Sequence, residues 1–199
     1  MRLPANERRE AILTKAIQLF ADKGFRGTTT RELAAAAAVS EPVLYQHFAT
    51  KRDLYEAIIE RQSKQVMDLS PWPEAESGSD REALLALGKL IWRWYEQDRT
   101  LNRLLYFSAL EGHELSDLFF SGHARGFLEQ VSEFVRKRIA AGAFRAADAD
   151  TLAMCFIGMV AHDAQSVTLF HFDPKKSGRD EVLKEMVELF LRGVLIEHV

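Results

Sequence analysis

The chain has 199 residues, 47% hydrophobic and 28% charged, with a net charge of −3 and a single cysteine. That is enough chain for one large domain, or a small one plus a larger one, around a sizeable core. It excludes an intrachain disulfide, matches no membrane-spanning run of about 18 uncharged apolar residues, and gives no strongly basic footprint. With the polar start MRLPANERRE in place of a signal-peptide core, the reading is a cytoplasmic protein with no membrane partner.

The first helix is expected from about Asn6 to Lys23. Ile12, Ala16 and Phe20 recur every four residues, with Leu13 and Ile17 beside them. Gly24 fits a C-cap of positive φ, and Phe25 is placed to pack back on the last turn. Thr29 followed by Glu32 reads as a capping box for a second helix, and Ser40 is a candidate N-cap for a third, with Pro42 harmless in its first turn. Leu44 and Phe48 share a face and are expected to pack inward. Pro42, Val43, Gln46 and His47 lie on neighbouring strips that face outward. Thr50 with Asp53, a shorter capping box, opens a fourth helix to about Leu69. Two short helices joined by a tight turn, the second carrying Tyr45, Gln46 and His47, form a helix-turn-helix over about 29–48.

From Arg8 to Ile58 the chain resembles the N-terminal domain of the TetR family of transcriptional repressors. The residues that carry the resemblance are Ile12, Ala16, Phe20, Gly24, Thr29, Thr30, Leu33, Ala34, Val39, Ser40, Leu44, Tyr45, His47, Phe48, Lys51 and Leu54, with Leu-Tyr-x-His-Phe followed by Lys and Leu the most specific run. Ala38 departs from the family, whose members usually carry Gly there to relieve a left-handed backbone. The resemblance implies an all-α protein: a DNA-binding domain over 1–55, and an effector-binding and dimerisation bundle over 56–199. It implies a homodimer on a palindromic operator, reading the groove with Ser40, Glu41, Pro42, Val43, Tyr45, Gln46 and His47. Thr29, Thr30, Arg31, Tyr45 and Lys51 would grip the backbone or base edges. Glu41 opposes phosphate and fits only at a cytosine amino group or outside the groove. Between Met1 and Glu60 nine cations face eight anions, so phosphate contacts are few per subunit and a dimer is needed.

Beyond Leu69, the stretch from Ser70 to Asp80 reads as a loop, and Ser79 with Glu82 caps a helix to about Gln97. That helix is apolar nearly all round between Leu84 and Tyr95, as in the middle of a bundle. Further helices are expected over Thr100–Glu111, Glu114–Ala141, Asp148–Phe170 and Arg179–Glu197, about nine in all. The aromatics of this region, Phe119, Phe120, Phe156 and Phe170 among them, read singly as core. The effector pocket that the resemblance implies draws on Trp92, Tyr95, Phe107, Phe127, Met159, His162 and Asp163, a set suited to a largely hydrophobic small molecule. Gly158 and the small residues Ala161 and Ala164, with Ile157, Met186, Phe190 and Val194, form a candidate four-helix dimer interface. His162 reads first as a core or interface histidine and only second as a ligand contact, and Cys155 reads as a small buried hydrophobe.

No cofactor is expected. His113, His123, His162 and His171 match no standard metal spacing, and HELSD at His113 lacks a second histidine. No Glu-x-x-His pair, GxSxG, P-loop or dinucleotide fingerprint occurs, so the chain does not read as an enzyme. The reading is a DNA-binding regulator, a repressor released by a small ligand. The alternatives are a constitutive DNA binder without effector, and a ligand-binding or enzymatic bundle whose helix-turn-helix is structural.

Overall fold

The computed structural model describes residues 4–66, 79–110, 122, 124–173 and 178–196. These residues hold nine helices and no strand: α1 Ala5–Lys23, α2 Thr30–Ala36, α3 Glu41–His47, α4 Lys51–Val66, α5 Asp80–Gln97, α6 Arg99–Leu110, α7 Arg125–Ala140, α8 Ala149–Thr168 and α9 Arg179–Val194. The chain divides into two compact units, Met1–Met67 with Thr100–His123, and Asp68–Arg99 with Ala124–Val199. The boundary after residue 55 expected from sequence thus falls inside α4. Most of α6, placed by sequence with the C-terminal bundle, packs in the first unit. The Ser70–Asp80 loop, apart from its last two residues, lies outside the described residues, as do Phe119, Phe120, His113 and His123.

Local sequence sets the helix starts. At α2, the Glu32 amide donates to Thr29 Oγ1 at 3.2 Å and the Thr29 amide donates to Glu32 Oε2 at 2.9 Å. The same reciprocal box closes at Ser79 and Glu82 and, with aspartate, at Thr50 and Asp53. Asp148 caps α8, accepting from the Thr151 amide at 2.8 Å and its hydroxyl at 2.6 Å. Those bonds hold its carboxyl below the usual range, the Thr151 side chain contributing most.

In the first unit, α1 buries Ile12, Leu13, Ala16, Ile17 and Phe20 against α2 and α4. Gly24, at φ 71°, ends α1. Phe25 then turns back to stack on Phe20, with centroids 5.8 Å apart, and meets Tyr55 edge-on at 5.4 Å. Tyr55 is fully buried, and its hydroxyl donates to the Leu104 carbonyl of α6 at 3.4 Å.

In the second unit α5 packs on α8 and α9, and α7 packs on α8. Every apolar residue of α5 is buried or half-buried, as its all-round apolar surface requires. Phe156 of α8 meets Phe190 of α9 edge-on at 5.1 Å. Gly142, at φ 69°, turns the chain after α7, and Phe144 pairs with Leu195 in an isolated bridge.

Candidate nucleic-acid interface

Two seven-residue helices are too short to persist alone, so tertiary contacts must hold them. Leu33 and Ala34 of α2, Leu44 of α3 and Phe48 just after it are buried. The turn between the helices closes as a Schellman motif. The Ala38 amide donates to the Ala35 carbonyl at 3.1 Å, and the Val39 amide to the Ala34 carbonyl at 3.0 Å. Ala38 takes the left-handed conformation, φ 53°, that this motif demands. The position favouring glycine is therefore occupied by a strained alanine and the turn geometry is kept.

Several candidate DNA contacts are committed inside the protein. Glu41, half-buried, accepts from the Thr30 hydroxyl at 3.0 Å, tying α3 to α2. This gives the acidic residue at the start of α3 a partner within the protein. Lys51 turns inward. Its ammonium donates to the Phe25 and Thr28 carbonyls, both at 2.8 Å, and lies 4.3 Å from the Phe25 ring centroid. Two of its three protons thus hold the turn after α1, a contact between residues more than twenty apart that spacing could not show. Thr29 is engaged by its capping box. Ser40 occupies the N-cap position of α3, but its side chain makes no capping bond.

What faces outward is narrower. Arg31, Ser40, Pro42, Tyr45 and Gln46 are exposed, Tyr45 at 47%, while Val43 and His47 are half-buried. Arg31, on the second residue of α2, has no side-chain partner among the described residues. Arg26, in the turn before α2, is likewise exposed and uncommitted. Sequence reasoning passed over Arg26; the available signal was a cation just ahead of a helix cap. Lys23, by contrast, is paired with Glu32 at 2.6 Å. That bond, with the Thr29 amide and hydroxyl, pulls the Glu32 carboxyl down to about 2.

The residues assigned to an effector pocket fall in both units. Trp92 and Tyr95 are buried on α5, with Tyr95 packed edge-on against Trp94 at 4.6 Å. Phe107 belongs to the first unit and Phe127 to the second; both are half-buried. Met159 and Asp163 are half-buried on α8. His162 is exposed and faces out with Met154, Cys155 and Gly158 along one side of α8, so it is not a core histidine. Cys155 is exposed rather than buried for the same reason. His171 is exposed at φ 55°. No group of three potential metal ligands gathers among the described residues.

The residues assigned to a dimer interface divide in two. Ala164, Phe190 and Val194 are buried in the chain's own core. Ile157, Ala161 and Met186 are half-buried at the margin of an apolar surface. Met154, at 54% exposure, supplies that surface on α8, and Leu189, at 67%, on α9. A Cβ added at Gly158 or Gly193 would meet open space.

These features define a helix-turn-helix DNA-binding regulator with an all-helical C-terminal domain. Residues 12–58 match the family model of bacterial regulatory proteins of the tetR family. Residues 82–193 match that of the AefR-like transcriptional repressor C-terminal domain. The second match spans more than half of the chain, and the protein belongs to the TetR family of transcriptional regulators. It is 32% identical over 139 residues, 69% of each chain, to the nucleoid occlusion factor SlmA of Marinobacter nauticus. It is 33% identical over 105 residues to the transcriptional activator FasR of Mycolicibacterium smegmatis, 53% of this chain and 48% of that one. The chain thus spans about half the length of that relative. The structure superposes on AibR, solved with isovaleryl coenzyme A and operator DNA, with TM-score 0.68 and 24% identity over 92% of this chain and 97% of that one. That likeness shows the fold.

Proposed function

We propose that this regulator is a repressor that binds a palindromic operator as a homodimer and leaves it when a small ligand binds the second unit. The observation that carries the DNA-reading part is the exposed set Arg31, Pro42, Tyr45 and Gln46. These side chains sit on helices where Thr30, Glu32 and Glu41 are already spent on holding them in place. In a major groove, Gln46 offers a bidentate amide to adenine, and Arg31 a fork that suits guanine or phosphate. Val43 and Pro42 offer apolar surface to a thymine methyl. Its place of action is the cytoplasm, and no helix among the described residues is long and apolar enough to cross a membrane.

The dimer reading rests on the outward apolar faces of α8 and α9. Val182, Met186, Leu189, Gly193 and Ile196 recur at helical spacing on α9 and just beyond it, and Leu189 alone is 67% exposed. Two copies meeting through these faces would build a four-helix interface with apolar knobs and open glycines opposite each other. Release follows if the ligand favours the DNA-free form. A tenfold loss of operator affinity needs about 1.4 kcal/mol of coupling.

Selection of bound sequences from a random duplex pool tests the reading. Enrichment of an inverted repeat with half-sites about one helical turn apart supports it. Arg31→Ala and Tyr45→Ala then weaken the selected site by about 1–3 kcal/mol each while random DNA is little affected for Tyr45→Ala. Leu189→Asp yields a monomer by sedimentation; a variant that stays dimeric overturns the interface. The relative named as an activator motivates a reporter assay of sign: increased transcription on deletion of the gene supports repression, and decreased transcription overturns it.

A further inference from the structure

The second unit contains a cleft of about 210 Å³ between α5 and the start of α9. Lys89, Trp92, Arg93 and Glu96 line it from α5, and Arg179, Asp180 and Leu183 from α9. The two helices close tightly beside it, since a Cβ on Gly88 would fall 2.4 Å from Leu183 Cδ1. Glycine there lets Leu183, only 2% exposed, seat against α5 as an apolar floor. Trp92, 5% exposed, forms the adjoining wall, with the Arg179 guanidinium 5.5 Å from its ring centroid. The indole Nε1 is buried with no hydrogen-bond partner among the described residues.

The charges around the cleft do not balance. It carries three cations and two carboxylates. Arg179 is bonded to Glu96. Lys89 and Arg93, four residues apart on one face of α5, are exposed and have no side-chain partner among the described residues. Like charges at that spacing repel, so the fold keeps an unfavourable pair at the mouth of a cleft whose lining is charged except for Trp92 and Leu183. A single negative charge between them would neutralise the site. A carboxylate suits it, because Arg93 offers a bidentate fork and Lys89 a point charge. The volume lies below the ~300 Å³ at which pockets for drug-sized ligands begin, which favours a small ligand.

We propose that this cleft binds a small organic monoanion, a carboxylate on a short aromatic or branched apolar group, with the carboxylate at Lys89 and Arg93 and the apolar part on Leu183 and Trp92. Binding itself stands alone; that the ligand is the effector rests on the ligand-responsive reading above. The probes are benzoate, its neutral analogue benzamide, and inorganic phosphate, titrated calorimetrically at low salt into the full-length protein without DNA. Benzoate is expected to saturate at one per chain, with benzamide and phosphate each at least about tenfold weaker. The double variant Lys89→Gln/Arg93→Gln, both exposed positions, is expected to keep or slightly raise its melting temperature and lose benzoate affinity by about tenfold or more, whereas Lys184→Gln, outside the cleft, leaves benzoate binding unchanged. Equal binding of benzamide, tighter binding of phosphate, an unaffected double variant, or no saturable benzoate binding overturns the site. Operator binding measured in parallel by gel shift separates the two readings. Intact operator binding without benzoate binding removes the site alone, and benzoate binding that leaves operator affinity unchanged removes the effector role alone.

Discussion

Replacing Ala38 with glycine should stabilise the protein without adding a contact. Ala38 sits at φ 53° in the turn between α2 and α3. For an L-residue the left-handed region costs about 1–2 kcal/mol, because Cβ crowds the following carbonyl. Glycine removes that cost and returns about 0.4–1 kcal/mol to the unfolded chain as entropy. The net gain for Ala38→Gly is about 0.5–1 kcal/mol, or roughly 1–4 °C in melting temperature for a chain of this size. The molecule carries its own control. Gly142 ends α7 at φ 69° with the same pair of bonds, the Gly142 amide to Ile139 and the Ala143 amide to Arg138, both at 3.0 Å. A Cβ there meets open space, so Gly142→Ala isolates the conformational cost and should lower the melting temperature by a similar amount. Circular dichroism melts of both variants and the double variant provide the assay. A melting temperature for Ala38→Gly at or below that of the parent, alongside a destabilised Gly142→Ala, refutes the strain assigned to Ala38.

Lys51→Met keeps the aliphatic stem but orphans the Phe25 and Thr28 carbonyls, so the urea midpoint should fall by the equivalent of about 2 kcal/mol; an unchanged midpoint would return Lys51 to a purely DNA-facing role. Glu32, held near 2 against an ordinary 4.5, contributes stability that is fully present above about pH 4.5 and drains away as pH falls toward 2. The stability difference between the parent and Glu32→Gln should therefore be flat from neutrality to about pH 5 and shrink below it, and a difference that grows on acidification contradicts the Lys23 and Thr29 bonds as its source. With Arg26 and Arg31 as the uncommitted cations beside α2, a dimer neutralises about four phosphates, which sets a log–log salt slope of about −4. A slope twice as steep would show that further cations reach the DNA.

Features set by residues three or four apart were legible in the sequence. The capping boxes at Thr29, Thr50 and Ser79 and the starts of α2, α5 and α9 depend on local chemistry, and they fall where that chemistry places them. So does the turn at Ala38, where the motif outweighs the strain of one residue. Lys51 was not legible, because its partners are fixed only when α4 packs on the turn after α1. On α8, nearly every residue from Leu152 to Ala164 is apolar or small, and a face awaiting a second surface has the same composition as a face already buried. Periodicity could not separate Ala164, which is core, from Ile157 and Ala161 at the margin, nor reveal that Cys155 and His162 face out. The effector residues were hard to group for a different reason. Aromatic density marks apolar volume, and α6 carries Phe107 into the first unit while Phe127 stays in the second. The cleft at Trp92 depends on charges brought together from two helices ninety residues apart in sequence.

The near-neutral charge of the DNA-binding segment follows from how its short helices are stabilised. Helices of seven residues do not form alone, and the four buried apolar side chains of α2, α3 and the adjoining Phe48 cover only their inner faces. The remaining support is polar: Thr29 with Glu32, Lys23 with Glu32, Thr30 with Glu41, and Lys51 with two carbonyls. Each of these takes a charged or hydroxyl group that could otherwise have met a phosphate. Glu32 and Glu41, two of the acids that lower the net charge, are therefore structural, and Glu32, paired with Lys23, repels phosphate less than a formal count suggests. On the proposed reading, nonspecific affinity would rest on a few arginines, and the uncharged Pro42, Tyr45 and Gln46 would discriminate between base edges. If the proposed homodimer is the binding form, a reader built this way would bind weakly as a single copy. It would gain useful affinity only when a second copy is fixed at the correct spacing, and a ligand that altered that spacing would release both copies with a small change in either one.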